Sequence, residues 1–133
     1  MRGGGCWQPF QGGTIHWSPT TGAHATDGMI REAWGRLGWE NGRMGYPTGG
    51  VVCGLRGGGC WQPFQGGAIH WSPATGAHAT FGAIRDAWGR QGWENGRLGY
   101  PVSGEMVSGG VVRQNFQGGY ITVDRRTGRV TVR

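Results

Sequence analysis

The sequence predicts an α+β repeat protein, built from units of about 54 residues that each combine a β-hairpin with a short helix. The first observation is that the block Phe-Gln-Gly-Gly occurs three times, beginning at Phe10, Phe64 and Phe116. The second is that a strand-like alternation and then a helix-like apolar stripe follow this block in both full copies. Repeat arrays stack neighbouring units and usually present binding surfaces rather than active sites.

The predicted hairpin begins at the Phe-Gln-Gly-Gly block. Gly12 and Gly13 can supply the positive φ of a tight turn between two short strands. The following strand alternates, with Ile15 and Trp17 on one face and His16 on the other. The Ser-Pro and Thr-Gly pairs after it predict a second turn.

A short helix should follow over residues 27–37. Ile30, Trp34 and Leu37 fall at i, i+4 and i+7, which is one stripe of a helix, and Gly38 can end it. Glycines inside this segment weaken an isolated helix by roughly 1 kcal/mol each. Packing against a neighbouring unit must therefore stabilise it.

Composition favours a folded, turn-rich chain. The 133 residues include 31 glycines, but 8 tryptophans recur beside them at fixed spacing, and disordered segments are poor in aromatics. No apolar run has the length of a membrane span, and no signal-peptide pattern is present. Because Met1 is followed directly by repeat sequence, we expect a segment of a longer protein.

The positive charge is local rather than spread over the units. The net charge is +6, and residues 113–133 contribute +4 of it through five arginines and Asp124. A nucleic-acid-binding array would carry a basic stripe along every unit, so no nucleic-acid partner is predicted.

The cysteines predict one disulfide. Cys60 matches Cys6 one unit earlier, whereas the counterpart of Cys53 would precede the chain. The simplest pairing is Cys53 with Cys60, which leaves Cys6 without its partner. Such a bond implies an oxidising, extracellular location; free thiols in a cytosol are the alternative.

The three units are predicted at residues 3–56, 57–110 and 111–133, the last a capping hairpin. In that cap, Arg113 replaces Trp61 and Thr122 replaces His70. Either no helix follows to pack against these positions, or the positions bind a ligand and a cap need not bind one. Both explanations stay open at this point.

The segments Met44–Pro47 and Leu98–Pro101, read with the Phe-Gln-Gly-Gly and Trp-Ser-Pro-x-Thr-Gly-Ala-His blocks, resemble the Leu-Gly-Phe-Pro (LGFP) repeat family. The resemblance covers nearly the whole chain. It implies a secreted actinobacterial protein whose repeats anchor it to envelope polysaccharide, arabinogalactan or peptidoglycan. It also implies a propeller-like array of five units, so two chains of two and a half units could complete one as a homodimer.

Sugar binding needs an aromatic face beside hydrogen-bonding groups. Trp7 and Trp61 precede a polar residue and a proline and are candidate stacking platforms. Each of the two full units offers a second tryptophan in a polar turn and a histidine on the strand face opposite isoleucine; these histidines could instead simply be solvated. The remaining candidate ligand-binding residues are Trp39, Trp93, Glu40, Glu94, Asn41, Asn95, His16 and His70.

No catalytic or metal-binding constellation is predicted. The acids shared by both units are Glu32 with Asp86 and Glu40 with Glu94, and nothing in their spacing places two carboxylates across a cleft. The cysteine and histidine spacing does not match structural zinc, so no cofactor is expected. The predicted function is non-catalytic wall binding; the alternatives are a structural module in which arrays pair into a ring, and a domain of a wall enzyme.

Overall fold

The computed structural model describes residues 6–10, 13–18, 22–26 and 28–133, with side chains described from residue 28 onward. Its strands and α-helices follow one another in a fixed pattern of strands, helix, strands, helix and strands. In chain order they are β1 (Cys6–Phe10), β2 (Gly13–Ser18), β3 (Gly22–Thr26), α1 (Gly28–Arg36), β4 (Val52–Leu55), β5 (Gly59–Pro63), β6 (Gly67–Ser72), β7 (Gly76–Phe81), α2 (Gly82–Arg90), β8 (Met106–Ser108), β9 (Val111–Phe116), β10 (Gly119–Asp124) and β11 (Val130–Val132).

The strands form three antiparallel sheets, ordered β1-β2-β3, β4-β5-β6-β7 and β11-β10-β9-β8. The α+β class is therefore confirmed, and within the described ranges the sheets do not close into a barrel or a propeller. The predicted hairpins are present as β1–β2, β5–β6 and β9–β10. Each hairpin is nevertheless part of a larger sheet, because in the two full units a further strand, which was not predicted, follows the predicted Thr-Gly turn.

The helix prediction is confirmed to within a residue at each end. Gly38 and Gly92 follow the two helices with φ of 96° and 99°, the left-handed conformation that glycine favours at a helix end. Leu37 was wrongly assigned to the buried stripe: it follows the last helical residue and is 36% exposed. Ile30 and Trp34 are buried as predicted.

Each helix packs on the sheet of the following unit. Ile30 and Trp34 of α1 share a buried cluster with Phe64 and Ile69 of the second sheet. In the next unit, Ile84 and Trp88 of α2 pack in the same way on the third sheet, beside Ile121 and another phenylalanine. Fully burying such side chains contributes about 1.5–3 kcal/mol each. The glycine-weakened helices are therefore stabilised by a neighbour, as expected from the sequence.

The two repeated motifs interlock across the unit boundary. The side-chain oxygen of Gln117 accepts a hydrogen bond from the backbone N–H of Tyr100, at 3.0 Å, and Gln65 does the same for Tyr46 at 2.9 Å. Trp88 Nε1 donates to the carbonyl of Gly99. The third Phe-Gln-Gly-Gly block is thus needed to hold the Leu-Gly-Tyr-Pro segment before it, which explains why the cap retains the block.

The outer face of the third sheet is polar. Arg113 and Thr122 are register partners there, as Trp61 and His70 are in the second sheet. The Arg113 guanidinium lies over the Tyr120 ring, 3.8 Å from its centroid. No helix packs on this face in the described part of the chain, and polar residues replace the aromatic ones that would meet it.

Candidate functional site

An aromatic pocket lies between β5, β6, α2 and a 3-10 turn at Trp93–Asn95. It has a volume of about 230 Å³ and is lined by Trp61, His70, Arg85, Trp93 and Glu94. Four of these five residues are candidates from the sequence, contributed by separate elements of one unit. The structure brings them together because the strand face opposite Ile69 is covered by the helix of its own unit.

Three rings form a rigid wall of this pocket. Trp61 stacks on His70 with ring centroids 5.4 Å apart and an angle of 15° between the ring planes. His70 meets Trp88 nearly edge-on, at 4.6 Å and 79°. Because Trp88 is completely buried, this stack holds the exposed part of Trp61 in a fixed orientation.

Trp93 supplies the second tryptophan face from an unusual backbone conformation. Its φ is 56°, and such left-handed backbone costs a non-glycine residue on the order of 1–3 kcal/mol. The ring is fixed by an edge contact with Trp88, at 5.3 Å between centroids. A Cβ at Gly89 would lie 2.7 Å from the Trp93 ring, which is why this helix position is glycine.

The alternative prediction that His70 is simply solvated is wrong, because this residue is buried. It is 5% exposed, and burial, reinforced by the nearby Arg85 charge, lowers its pKa from 6.5 to about 3. The imidazole is therefore neutral near pH 7. Its Nδ1 atom is buried without a hydrogen-bond partner in the described structure.

Arg85 is the pocket residue that the sequence argument missed. Its guanidinium lies over the Trp93 ring, 4.8 Å from the centroid, while its buried Nε atom has no hydrogen-bond partner among the described residues. The available signal was that Arg31 occupies the same place in the first unit, three residues before the helix tryptophan. Glu94 completes the pocket as a buried residue, 7% exposed, rather than lying in a solvated turn.

The first unit repeats half of this geometry. Arg31 lies 4.8 Å over the Trp39 ring, and Trp34 meets that ring edge-on at 5.4 Å. Glu40 is buried at 9% exposure, as Glu94 is. Trp7 and His16 are register partners in β1 and β2. Their side chains, like that of Cys6, lie outside the described residues.

The asparagine candidates do not join the aromatic pocket. Asn95 lines a neighbouring cavity of about 650 Å³, together with Arg56, Arg97 and Tyr100. Asn41 is exposed. Their predicted contribution to the same sugar contact as the tryptophans is therefore not supported by their positions.

The predicted disulfide is confirmed between Cys53 and Cys60, which face each other across β4 and β5. It closes the loop that carries Arg56. The Arg56 carbonyl accepts a hydrogen bond from the Tyr100 hydroxyl, and its guanidinium donates to the Glu94 carbonyl at 3.4 Å. Burial, followed by the Glu94 charge, raises the Tyr100 pKa above its usual value.

Among the residues that the structure describes, no group of three or more histidine, cysteine, aspartate or glutamate side chains is arranged to hold a metal ion. Neither described helix is long and apolar enough to cross a membrane.

The fold and the pocket define a tandem-repeat α+β protein in which helices and sheets of successive units interlock. Comparison with known families agrees with this class. The chain belongs to the LGFP repeat family, whose profile matches residues 1–42, 44–96 and 98–133. A search of curated proteins gave no significant match.

Proposed function

We propose that this chain is a non-catalytic module that binds cell-envelope polysaccharide through the aromatic pocket and anchors a secreted protein to the wall. The observation that carries the proposal is the pairing of two tryptophan faces with two buried, unpartnered polar atoms, Arg85 Nε and His70 Nδ1. Buried polar groups normally have hydrogen-bond partners, and a ligand hydroxyl would supply the partners that these two atoms lack. Sugars offer C–H faces for stacking and hydroxyls for such atoms.

The size of the pocket suits a single sugar ring. At roughly 30 Å³ per liquid water molecule, the space corresponds to about seven or eight waters. The Arg85 N–H can donate to a hydroxyl oxygen, and the Glu94 carboxylate can accept from a hydroxyl. Glu94 is the one carboxylate that lines the pocket among the described residues, whereas glycoside hydrolysis generally uses two. Binding is therefore favoured over catalysis.

The repeated half-site favours more than one contact per chain. Arg31, Trp39 and Glu40 reproduce the arrangement of Arg85, Trp93 and Glu94. Two sites on one rigid array can raise overall affinity well above that of either site, provided both reach one polymer. The disulfide supports a location in an oxidising compartment, which agrees with a wall-associated protein.

The decisive experiment is co-sedimentation with insoluble mycolyl-arabinogalactan-peptidoglycan walls. Trp61→Ala should weaken binding, and Trp61→Ala combined with Trp7→Ala should remove most of it. Arg113→Ala changes the equivalent position of the cap and serves as the matched control, which should bind as the parent does. Failure of the parent chain to bind any wall preparation would exclude the proposal.

A structural role is the second candidate, favoured by edge strand β8. Met106 is 45% and Val107 59% exposed there, and an apolar edge strand is a template for pairing with another chain. Paired arrays could complete a propeller-like ring from two chains. Light scattering tests this role. A monomeric molar mass at every protein concentration excludes pairing of chains and leaves the wall-binding proposal unaffected. A role as part of a longer wall enzyme is the third candidate and would place catalysis in another domain.

A further inference from the structure

A cavity next to the aromatic pocket has a different lining and a different charge. This cationic cavity, about 650 Å³ in volume, contains Arg56, Asn95, Arg97 and Tyr100 in its lining. No aspartate or glutamate lines it among the described residues. Two arginines in the lining, without a lining carboxylate, make a site suited to an anion, because arginine binds carboxylate and phosphate through paired N–H groups.

Arg97 is distinguished by comparison with its counterpart in the first unit. Arg43 occupies the matching position and forms an ion pair with Glu105, with 2.7 Å between nitrogen and oxygen. Among the described residues, Arg97 forms no such pair. One copy of this arginine is thus neutralised within the fold, while the other presents its charge to the cavity.

Arg56 is held in place by three separate restraints. The disulfide between Cys53 and Cys60 closes its loop. The Tyr100 hydroxyl donates to the Arg56 carbonyl, and the Arg56 guanidinium donates to the Glu94 carbonyl. The first two restraints fix the Arg56 backbone and the third holds its guanidinium, so Arg56 loses less conformational entropy on binding than a mobile surface arginine does.

The two cavities meet at one turn of the chain. Glu94 lines the aromatic pocket, and the next residue, Asn95, lines the cationic cavity. These two residues are consecutive, with Cα atoms about 3.8 Å apart, so the linings of the two cavities adjoin at this turn.

We propose that the cationic cavity binds an anionic group, a carboxylate or a phosphate, carried by the glycan whose ring occupies the aromatic pocket. Sugar binding in the aromatic pocket rests on the proposed function. Anion binding in the cationic cavity is argued independently, from Arg56 and Arg97. The ligand class is therefore an anionic rather than a neutral glycan.

The test compares glucose, glucuronate, glucose 6-phosphate and inorganic phosphate by amide NMR titration of the full chain. Glucuronate or glucose 6-phosphate should bind roughly tenfold more tightly than glucose, the gain expected from a charge-assisted hydrogen bond. Inorganic phosphate alone should shift the amides of residues 95–100. Comparing the two anionic sugars identifies which anion is preferred.

Variants test anion binding in the cationic cavity separately from sugar binding in the aromatic pocket. Arg56→Gln and Arg97→Gln should each remove most of the preference for the charged sugar, while Arg126→Gln, which deletes an exposed charge elsewhere, should retain it. Equal affinity for glucose and glucuronate, or a preference unaffected by both variants, overturns the anion site and leaves wall binding intact. Phosphate binding that depends on these arginines, in a chain that binds no wall preparation, supports the anion site and refutes the proposed function.

Discussion

Acid should destabilise this protein through one buried histidine. The pKa of His70 is lowered from 6.5 to about 3, mainly by burial, so the folded chain excludes a proton that the unfolded chain accepts. Stability is therefore lost as the pH falls from about 6.5 towards 3. Between pH 7.5 and pH 5.0 this single group should cost about 2 kcal/mol of unfolding free energy.

The variant His70→Phe isolates this effect, because it retains an aromatic ring between Trp61 and Trp88 and cannot titrate. Urea unfolding followed by tryptophan fluorescence at both pH values gives the two differences. The parent chain should lose about 2 kcal/mol more than the variant. His78→Gln removes an imidazole outside the aromatic pocket and should keep the parental loss. Equal pH dependence of the parent and His70→Phe would refute the assignment of a buried neutral imidazole.

Three further changes have expected outcomes. Gly89→Ala should lower the midpoint of urea unfolding, because the new Cβ would lie 2.7 Å from the Trp93 ring. This loss should exceed the helix preference of alanine over glycine, about 1 kcal/mol. A higher midpoint would contradict the described packing of Gly89 against Trp93. Ile121→Ala should cost about 2–5 kcal/mol, because this buried side chain covers α2 from the cap, and a loss near zero by the same assay would show that the cap is dispensable. Replacing Cys53 and Cys60 by serine should lower the unfolding free energy by about 2 kcal/mol, because the unfolded chain loses a constraint. Calorimetry of the parent chain under oxidising and then reducing conditions should give the same difference in unfolding free energy.

Local patterns were sufficient to predict the hairpins, the helices and the disulfide. Ile69 belongs to a strand periodicity and Trp88 to a helix periodicity, and each pattern can be recognised from a few neighbouring residues. Strand β7 was missed because its Gly-Ala-His-Ala sequence has little strand propensity. Its small residues are explained by packing, since Ala77 and Ala79 are buried in the cluster formed with α1.

The sequence predicted which residues form the site better than it predicted how deeply they are buried. Alternation placed His70 opposite Ile69 and suggested solvent, but both faces of the second sheet are covered, one by each helix. That burial depends on contacts between units, which no local pattern contains. The same is true of Glu94, whose polar neighbours in sequence indicate a surface turn although its carboxyl group is enclosed by the fold.

Because each helix is buried by the sheet that follows it, the boundaries of the repeated sequence and those of the hydrophobic core do not coincide. Duplicating one whole unit by recombination would insert a helix and a sheet that already fit the existing neighbours on both sides. An array of this design can change its length without evolving a new interface, so the number of binding sites can be adjusted while every contact surface stays the same. A deletion that removed only the last hairpin would instead leave α2 with an uncovered apolar face, and such a chain would be prone to aggregation.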